Sequence, residues 1–255
     1  MHDETARIIA AAFLTSLCCA SLATGDRAWA AGGAFAVDDS EIGKPGECKV
    51  ESWLSLASNA AGDLIASTSP ACVVNLGRPV EIGGQFQRTK SDGEWDTSAG
   101  VKAKTSFVPA GSNKVGLGLS GGVNFDLVTQ QASSYFINMP ATLTITEELR
   151  VNLNGGWLHE RDGKLDWFTW GAGFEWNFIK PLTLIAEVYG QAGRLKATAV
   201  GEAPPPVSVR RPRVQVGLRV TPIDKLDLDL IYGHNITGEN AHWFTAGLNL
   251  RFNAK

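Results

Sequence analysis

Residues 167–178 read Trp167-Phe168-Thr169-Trp170-Gly171-Ala172-Gly173-Phe174-Glu175-Trp176-Asn177-Phe178. Every second side chain, Phe168, Trp170, Ala172, Phe174, Trp176 and Phe178, is apolar, and the intervening set is Trp167, Thr169, Gly171, Gly173, Glu175 and Asn177. In a β-strand the two sets face opposite sides of the sheet. An aqueous sheet turns its apolar face into a core. Here the polar face carries glycines and isolated charges, as expected of side chains that point into a barrel lumen while the apolar set meets hydrocarbon. The stretch predicts an all-β fold, a closed antiparallel transmembrane β-barrel.

The same alternation runs outward in both directions. Leu182, Leu184, Ala186 and Val188 alternate with Thr183, Ile185, Glu187 and Tyr189, and Val214, Val216, Leu218 and Val220 with Arg213, Gln215, Gly217 and Arg219. Leu226, Leu228, Leu230 and Tyr232 oppose Asp227, Asp229, Ile231 and Gly233, and Phe244, Leu248, Leu250 and Phe252 oppose Thr245, Gly247, Asn249 and Arg251. Upstream, Leu149, Val151 and Leu153 oppose Arg150, Asn152 and Asn154; Val101 and Ala103 oppose Lys102 and Lys104; Val80 and Ile82 oppose Glu81 and Gly83. Glu147 shares the parity of Leu149 and fits poorly.

Short Pro-bearing or polar connections at residues 76–79, 109–113, 139–141, 179–181 and 221–225 read as tight turns on the periplasmic rim, where proline costs no ladder bond. Residues 90–94, 161–164, 194–210 and 235–241 are more polar or longer and suit the outside. Alternating rims require a strand between Leu127 and Pro140, and Tyr135-Phe136-Ile137 supplies it. That makes ten strands from Val80 onward. A further hairpin folded at Asn59-Ala60-Ala61 sets Cys48 across from Cys72 and predicts a disulfide in an exported chain. The expectation is twelve strands in a meander with both termini periplasmic, and the alternative is ten strands behind a disulfide-closed appendage.

Arg7 precedes an apolar run over residues 8–22, and Ala28-Trp29-Ala30 offers a cleavage site. Cys18 and Cys19 do not follow the small-residue run of a lipoprotein. Residues 1–30 are therefore expected to be a signal peptide, 31–47 a periplasmic lead or short plug, 48–252 the barrel and 253–255 a tail. The net charge of −3 and the lack of a basic tract speak against a nucleic-acid partner. A soluble β-sandwich fits the composition, but the seven Trp beyond residue 30, spread along alternating strands, favour a membrane barrel, with Trp53, Trp157, Trp176 and Tyr232 at its interfaces.

The terminal run Trp243-Phe244-Thr245-Ala246-Gly247-Leu248-Asn249-Leu250-Arg251-Phe252 resembles the last strand of Gram-negative outer-membrane proteins, although Asn253-Ala254-Lys255 follows the aromatic residue. The resemblance implies an outer-membrane location, with recognition by the barrel-assembly machinery and contact with outer-membrane lipid and lipopolysaccharide. Twelve-stranded members of that class include oligosaccharide and nucleoside channels and a phospholipase, so format alone leaves function open.

Inward parity gathers Glu81, Lys102, Lys104, Glu148, Arg150, Glu175, Glu187, Arg213, Arg219, Asp227, Asp229 and Arg251. A hairpin centred on Ile223 sets Arg219 opposite Asp227. Twelve strands enclose more room than eight, which side chains just fill, and the inward glycines leave further space. The expected function is a narrow passive channel for small polar or charged solutes, and Lys102, Lys104, Arg150, Arg213 and Arg219 are candidates for a basic ladder in it. The alternatives are a closed structural or adhesion barrel, with a protein partner or a second copy at the outer loops, and an outer-leaflet lipid enzyme using His234, His242 and Glu239 or His159, Glu160 and Asp162. The chain contains no HExxH, CxxC, CxxCH or phosphate-loop motif, so the protein is not expected to be an enzyme, and no metal or cofactor is expected.

Overall fold

A computed structural model of the chain describes residues 34–58, 63–91, 93–110, 114–161, 165–195, 207–210, 212–237 and 241–254. The proposed signal peptide, the Asn59-Ala60-Ala61 turn, Asp162 and Glu239 lie outside the described residues. In chain order the strands are β1 (Glu47–Ser58), β2 (Leu64–Asn75), β3 (Pro79–Ser91), β4 (Glu94–Val108), β5 (Val115–Asp126), β6 (Gln131–Thr144) and β7 (Leu149–Glu160). They continue as β8 (Leu165–Ile179), β9 (Leu182–Leu195), β10 (Val207–Arg210), β11 (Arg213–Ile223), β12 (Leu226–Asn235) and β13 (His242–Asn253).

Each long strand pairs antiparallel with its neighbour in sequence, and β1 closes the sheet on β13 from Glu47↔Asn253 to Ser58↔His242. Closure leaves the long strands no free edge among the described residues, which is what a sheet needs in a medium without water to solvate its amides. Twelve strands make the wall. β9 pairs with β11 along its first half, and the four-residue β10 pairs with its last residues, Val207↔Leu195 to Arg210↔Ala192. Part of the connection read as a loop over 194–210 is therefore a rim extension of the wall. The ten-strand alternative fails because β1 and β2 are full wall strands and not an appendage.

The β1–β2 register centres on residue 60 and places Cys48 opposite Cys72, which are joined in a disulfide. Two expectations about the reversals need correction. Met139-Pro140-Ala141 is not a turn: β6 runs through it, and the reversal falls at residues 145–148, where Ile145 and Thr146 N–H donate to Leu149 O. The strand tolerates Pro140 because the β5–β6 ladder skips from Leu117↔Ala141 to Ser120↔Asn138 there. The later reversal also explains Glu147 and takes Glu148 off the inner wall, since both are exposed turn residues. Second, the β11–β12 ladder centres on Asp224 and not on Ile223, so Arg219 faces Asp229 and not Asp227, and a one-residue irregularity follows between Val220 and Ile223.

The outward set is apolar along every long strand, with Leu230 66%, Phe244 63% and Val101 59% exposed. A band of that extent is far larger than a water-soluble monomer displays and is the surface of a protein solvated by lipid. Trp157, Trp176 and Tyr232 stand on that face. Trp53 does not. It pairs in register with Gly247 and Ser67, both inward, and belongs to the inner wall.

Candidate functional site

The inner wall holds most of the expected charges, and most of those are buried in pairs. Arg219 grips Asp229 with Nε–Oδ1 at 2.7 Å and Nη2–Oδ2 at 2.9 Å, a forked geometry that their direct opposition across β11 and β12 makes possible. Arg251 takes Asp227 at 2.7 and 3.1 Å, and Thr221 Oγ1 donates to the same carboxylate at 2.8 Å. Lys49, which parity also places inside, bridges Glu51 and Glu81 at 3.2 Å each. Arg150 meets Glu175 at 3.1 Å, and Asn152 Nδ2 donates to Glu175 at 2.6 Å. Lys102 is half-buried between Gly83 and Gly122, and Arg213 is half-buried in register with Tyr189 and Asn235. The wall is thus not a ladder of free cations: Lys49, Arg150, Arg219 and Arg251 are each neutralised by a wall carboxylate.

Residues 34–41, ahead of β1, run through this interior as a strap. Ala36 and Val37 N–H donate to Glu187 Oε2 and Oε1 at 2.9 and 3.2 Å, and Gln215 Nε2 donates to Glu187 at 2.7 Å. Asp38 N–H donates to Asn154 Oδ1 at 2.8 Å, while Asn154 Nδ2 returns a bond to Asp38 O at 2.6 Å. Ser40 N–H donates to Thr142 Oγ1, which donates to Asn152 Oδ1, so the strap joins the Asn152–Glu175–Arg150 cluster. With no regular ladder available, the strap's amides are satisfied by wall side chains.

The strap's carboxylates complete the arrangement. Lys104 Nζ lies 2.8 Å from Asp38 Oδ1 and 3.1 Å from Asp39 Oδ1, and Arg150 lies 2.8 Å from Glu41 Oε2 and 3.4 Å from Asp39 Oδ2. Asp39 therefore bridges the two cations. Burial alone pushes its carboxyl up, but Lys104 and Arg150 outweigh burial and hold it below its ordinary value. Leaving one member of such a buried pair without its partner costs about 3–5 kcal/mol.

The inward glycines read differently in the structure. A Cβ on Gly171 would stand 2.8 Å from Val37 Cγ2, one on Gly217 2.9 Å from the Phe35 ring, and one on Gly247 3.3 Å from Ala34 Cβ; one on Gly116 would collide with Ser40 Oγ. These glycines do not widen the lumen. They form the bed in which the strap lies. Phe35 packs on Ile185 and Ile231, and the Arg219 guanidinium lies 5.3 Å from the centre of its ring. This apolar seat is absent from the sequence reading, although its signal was present: Ile185 and Ile231 are aliphatic residues at inward parity between charges, out of place unless something apolar docks on them.

Further along the wall, inward aromatic rings cover cross-strand glycines: Trp167 over Gly193, Phe136 over Gly122 and Trp243 over Gly233. The described histidines lie outward, His159 on β7 and His234 and His242 as a cross-strand pair on β12 and β13 with ring centroids 5.7 Å apart. His159 Nδ1 meets Asp166 at 2.9 Å, and His242 Nδ1 meets the Tyr232 hydroxyl at 2.7 Å. Among the described residues no three His, Cys, Asp or Glu side chains are placed to hold a metal ion.

A closed twelve-stranded sheet, apolar outside and charged within, defines an outer-membrane β-barrel, and the protein lies in the outer membrane. The chain belongs to the family described as "Uncharacterised conserved protein UCP029691", whose model matches residues 19–252. No curated protein matches it by sequence. Its fold is similar to that of the KdgM porin in complex with disordered oligogalacturonate, with a TM-score of 0.58 at 11% identity over 80% of this chain and 99% of that one. The NanC porin gives 0.59 at 6% identity over 79% and 98%. The COG4313 outer membrane channel from Pseudomonas putida F1 gives 0.59 at 11% identity over 84% and 98%.

Proposed function

We propose that the protein is a narrow passive channel for small polar or charged solutes, with residues 34–41 forming its constriction. One observation carries the reading: the space inside the wall is filled by a segment that is not a wall strand and is held by ion pairs, side-chain hydrogen bonds and a glycine bed. A barrel built only for rigidity fills its interior from its own strands, as eight-stranded barrels do. The fold shared with solved porins supports the same reading, and one of those structures is titled as a complex with oligogalacturonate. In this reading residues 1–30 are removed on export, 31–47 act as a plug, and both termini lie in the periplasm beside the tight turns. The C-terminal strand addresses the assembly machinery, the outer band contacts lipid and lipopolysaccharide, and the barrel carries out no chemistry.

The second reading, a closed structural barrel, is favoured by the depth at which Asp39 and Ser40 are buried, 1% and 0% exposed. Planar-bilayer recording separates the two. The channel reading expects discrete conductance from a variant lacking residues 34–41, and smaller or intermittent conductance from the intact protein. Silence from both, with each shown folded by its heat-dependent gel mobility, overturns it.

A further inference from the structure

The strap's acidic end has the form of a ligand. Three carboxylates within four residues, Asp38, Asp39 and Glu41, are spread over two buried wall cations, Lys104 and Arg150, and the central one touches both. We propose that Lys104 and Arg150 form a polycarboxylate-binding site whose resident occupant is the protein's own strap, and that a solute bearing two or more carboxylates exchanges with it. The proposal rests on the channel reading and names its solute class.

The argument is one of exchange. When the acidic end leaves, Arg150 keeps Glu175, but Lys104 loses both of its ion-pair partners. The wall offers Lys104 only Glu81, opposite it across β3 and β4, and that carboxylate is shared with Lys49 at 3.2 Å. A neutral solute thus leaves the buried ammonium to share one carboxylate with Lys49, and a monocarboxylate replaces only one of three anionic groups. A di- or tricarboxylate restores most of what the strap supplied, so the exchange costs little. The other end of the strap is anchored by different chemistry, with Phe35 on Ile185 and Ile231 and two backbone amides on Glu187. Displacement of residues 38–41 therefore opens a path beside the strap without expelling it.

The test reads the strap directly. Hydrogen exchange in the peptide covering residues 34–46 of the folded protein in detergent is followed with tricarballylate, acetate, inorganic phosphate or glucose at matched ionic strength. The expected result is at least tenfold faster exchange with tricarballylate and none with acetate or glucose. A matching response to phosphate widens the class to multivalent oxyanions and leaves the site assigned. In Lys104→Gln the strap exchanges fast from the start, and tricarballylate adds nothing. Asp38→Asn with Asp39→Asn gives the same fast baseline with an unaltered wall, which guards against misfolding of the lysine variant. Unchanged exchange with tricarballylate, or an equal response to acetate, overturns the proposal. Deprotection in a protein that is silent in bilayers instead sinks the channel reading and leaves the binding site standing.

Discussion

Val37 and Gly171 compete for one space: a Cβ on the glycine would lie 2.8 Å from Val37 Cγ2. Gly173 on the same strand flanks the same valine, with its Cβ position 3.5 Å from Val37 Cβ. The bed under the strap is shaped residue by residue, so it is also the place to dislodge the strap without touching a charge. Gly171→Val adds branched bulk where the neighbour on one side is a strand and on the other is Val37. Overpacking of this kind costs about 1–3 kcal/mol, and the strap, outside the hydrogen-bonded wall, is the part that gives way. The expected outcome is a folded barrel whose strap amides exchange faster by about tenfold or more, read by hydrogen-exchange mass spectrometry. Unchanged protection of residues 34–46 would mean that the strap is not seated on this glycine.

The Arg219–Asp229 pair predicts a distinct pattern. Both side chains are buried and joined by a fork, and the guanidinium also lies over the Phe35 ring. Arg219→Ala leaves a buried carboxylate without its partner and costs about 3–5 kcal/mol, whereas the double variant Arg219→Ala with Asp229→Ala costs well under the sum of the single changes. Denaturant unfolding of the four proteins in lipid vesicles measures the cycle. Additive losses would show that the two residues act independently.

The Cys48–Cys72 bond ties β1 to β2 over a sequence separation of 24. Chain-entropy arguments give a loop of this size about 3 kcal/mol of stabilisation. Because β1 also pairs with β13 along its whole length, the barrel keeps its closure without the bond. Cys48→Ser with Cys72→Ser is expected to lower the unfolding midpoint while leaving heat-dependent gel mobility and any conductance intact. Loss of the compact form would show that the sheet closes only when the bond is made.

Most of the wall was legible because a period-two pattern with one face in hydrocarbon admits a single register. The Cys48–Cys72 register follows from one hairpin centre, and the strand at Tyr135-Phe136-Ile137 from the need for rims to alternate. What escaped the sequence reading were features that break local rules by tertiary compensation. Pro140 continues a strand because its neighbour leaves a gap in the ladder, and the β11–β12 ladder centres one residue beyond Ile223, with no marker in composition. Residues 31–47 read only as a periplasmic lead or short plug, and where they seat on the wall is not legible. Residues 34–41 have no periodicity, and their partners Lys104, Glu187 and Arg150 lie 65 to 151 positions away. The inward glycines and the misplaced Ile185 and Ile231 form a mould, and a mould is legible only once its cast is known.

The outward face makes the last prediction. Leu230 stands midway along β12 and is 66% exposed, while Leu226 begins the same strand at the rim with the same parity. If the band faces hydrocarbon, Leu230→Arg costs about 2–4 kcal/mol and Leu226→Arg about 0–1 kcal/mol, because the penalty for a cation falls with distance from the bilayer midplane. Gln87, inward on β3 and bonded to Thr89, supplies the control: Gln87→Arg places the same charge in a polar interior and is expected to fold normally. Equilibrium unfolding in thin-lipid vesicles gives the three values. A depth-independent cost on β12, or an equal penalty at Gln87, would contradict the division of odd and even side chains between lumen and lipid, and with it the placement of the strap's cations inside the barrel.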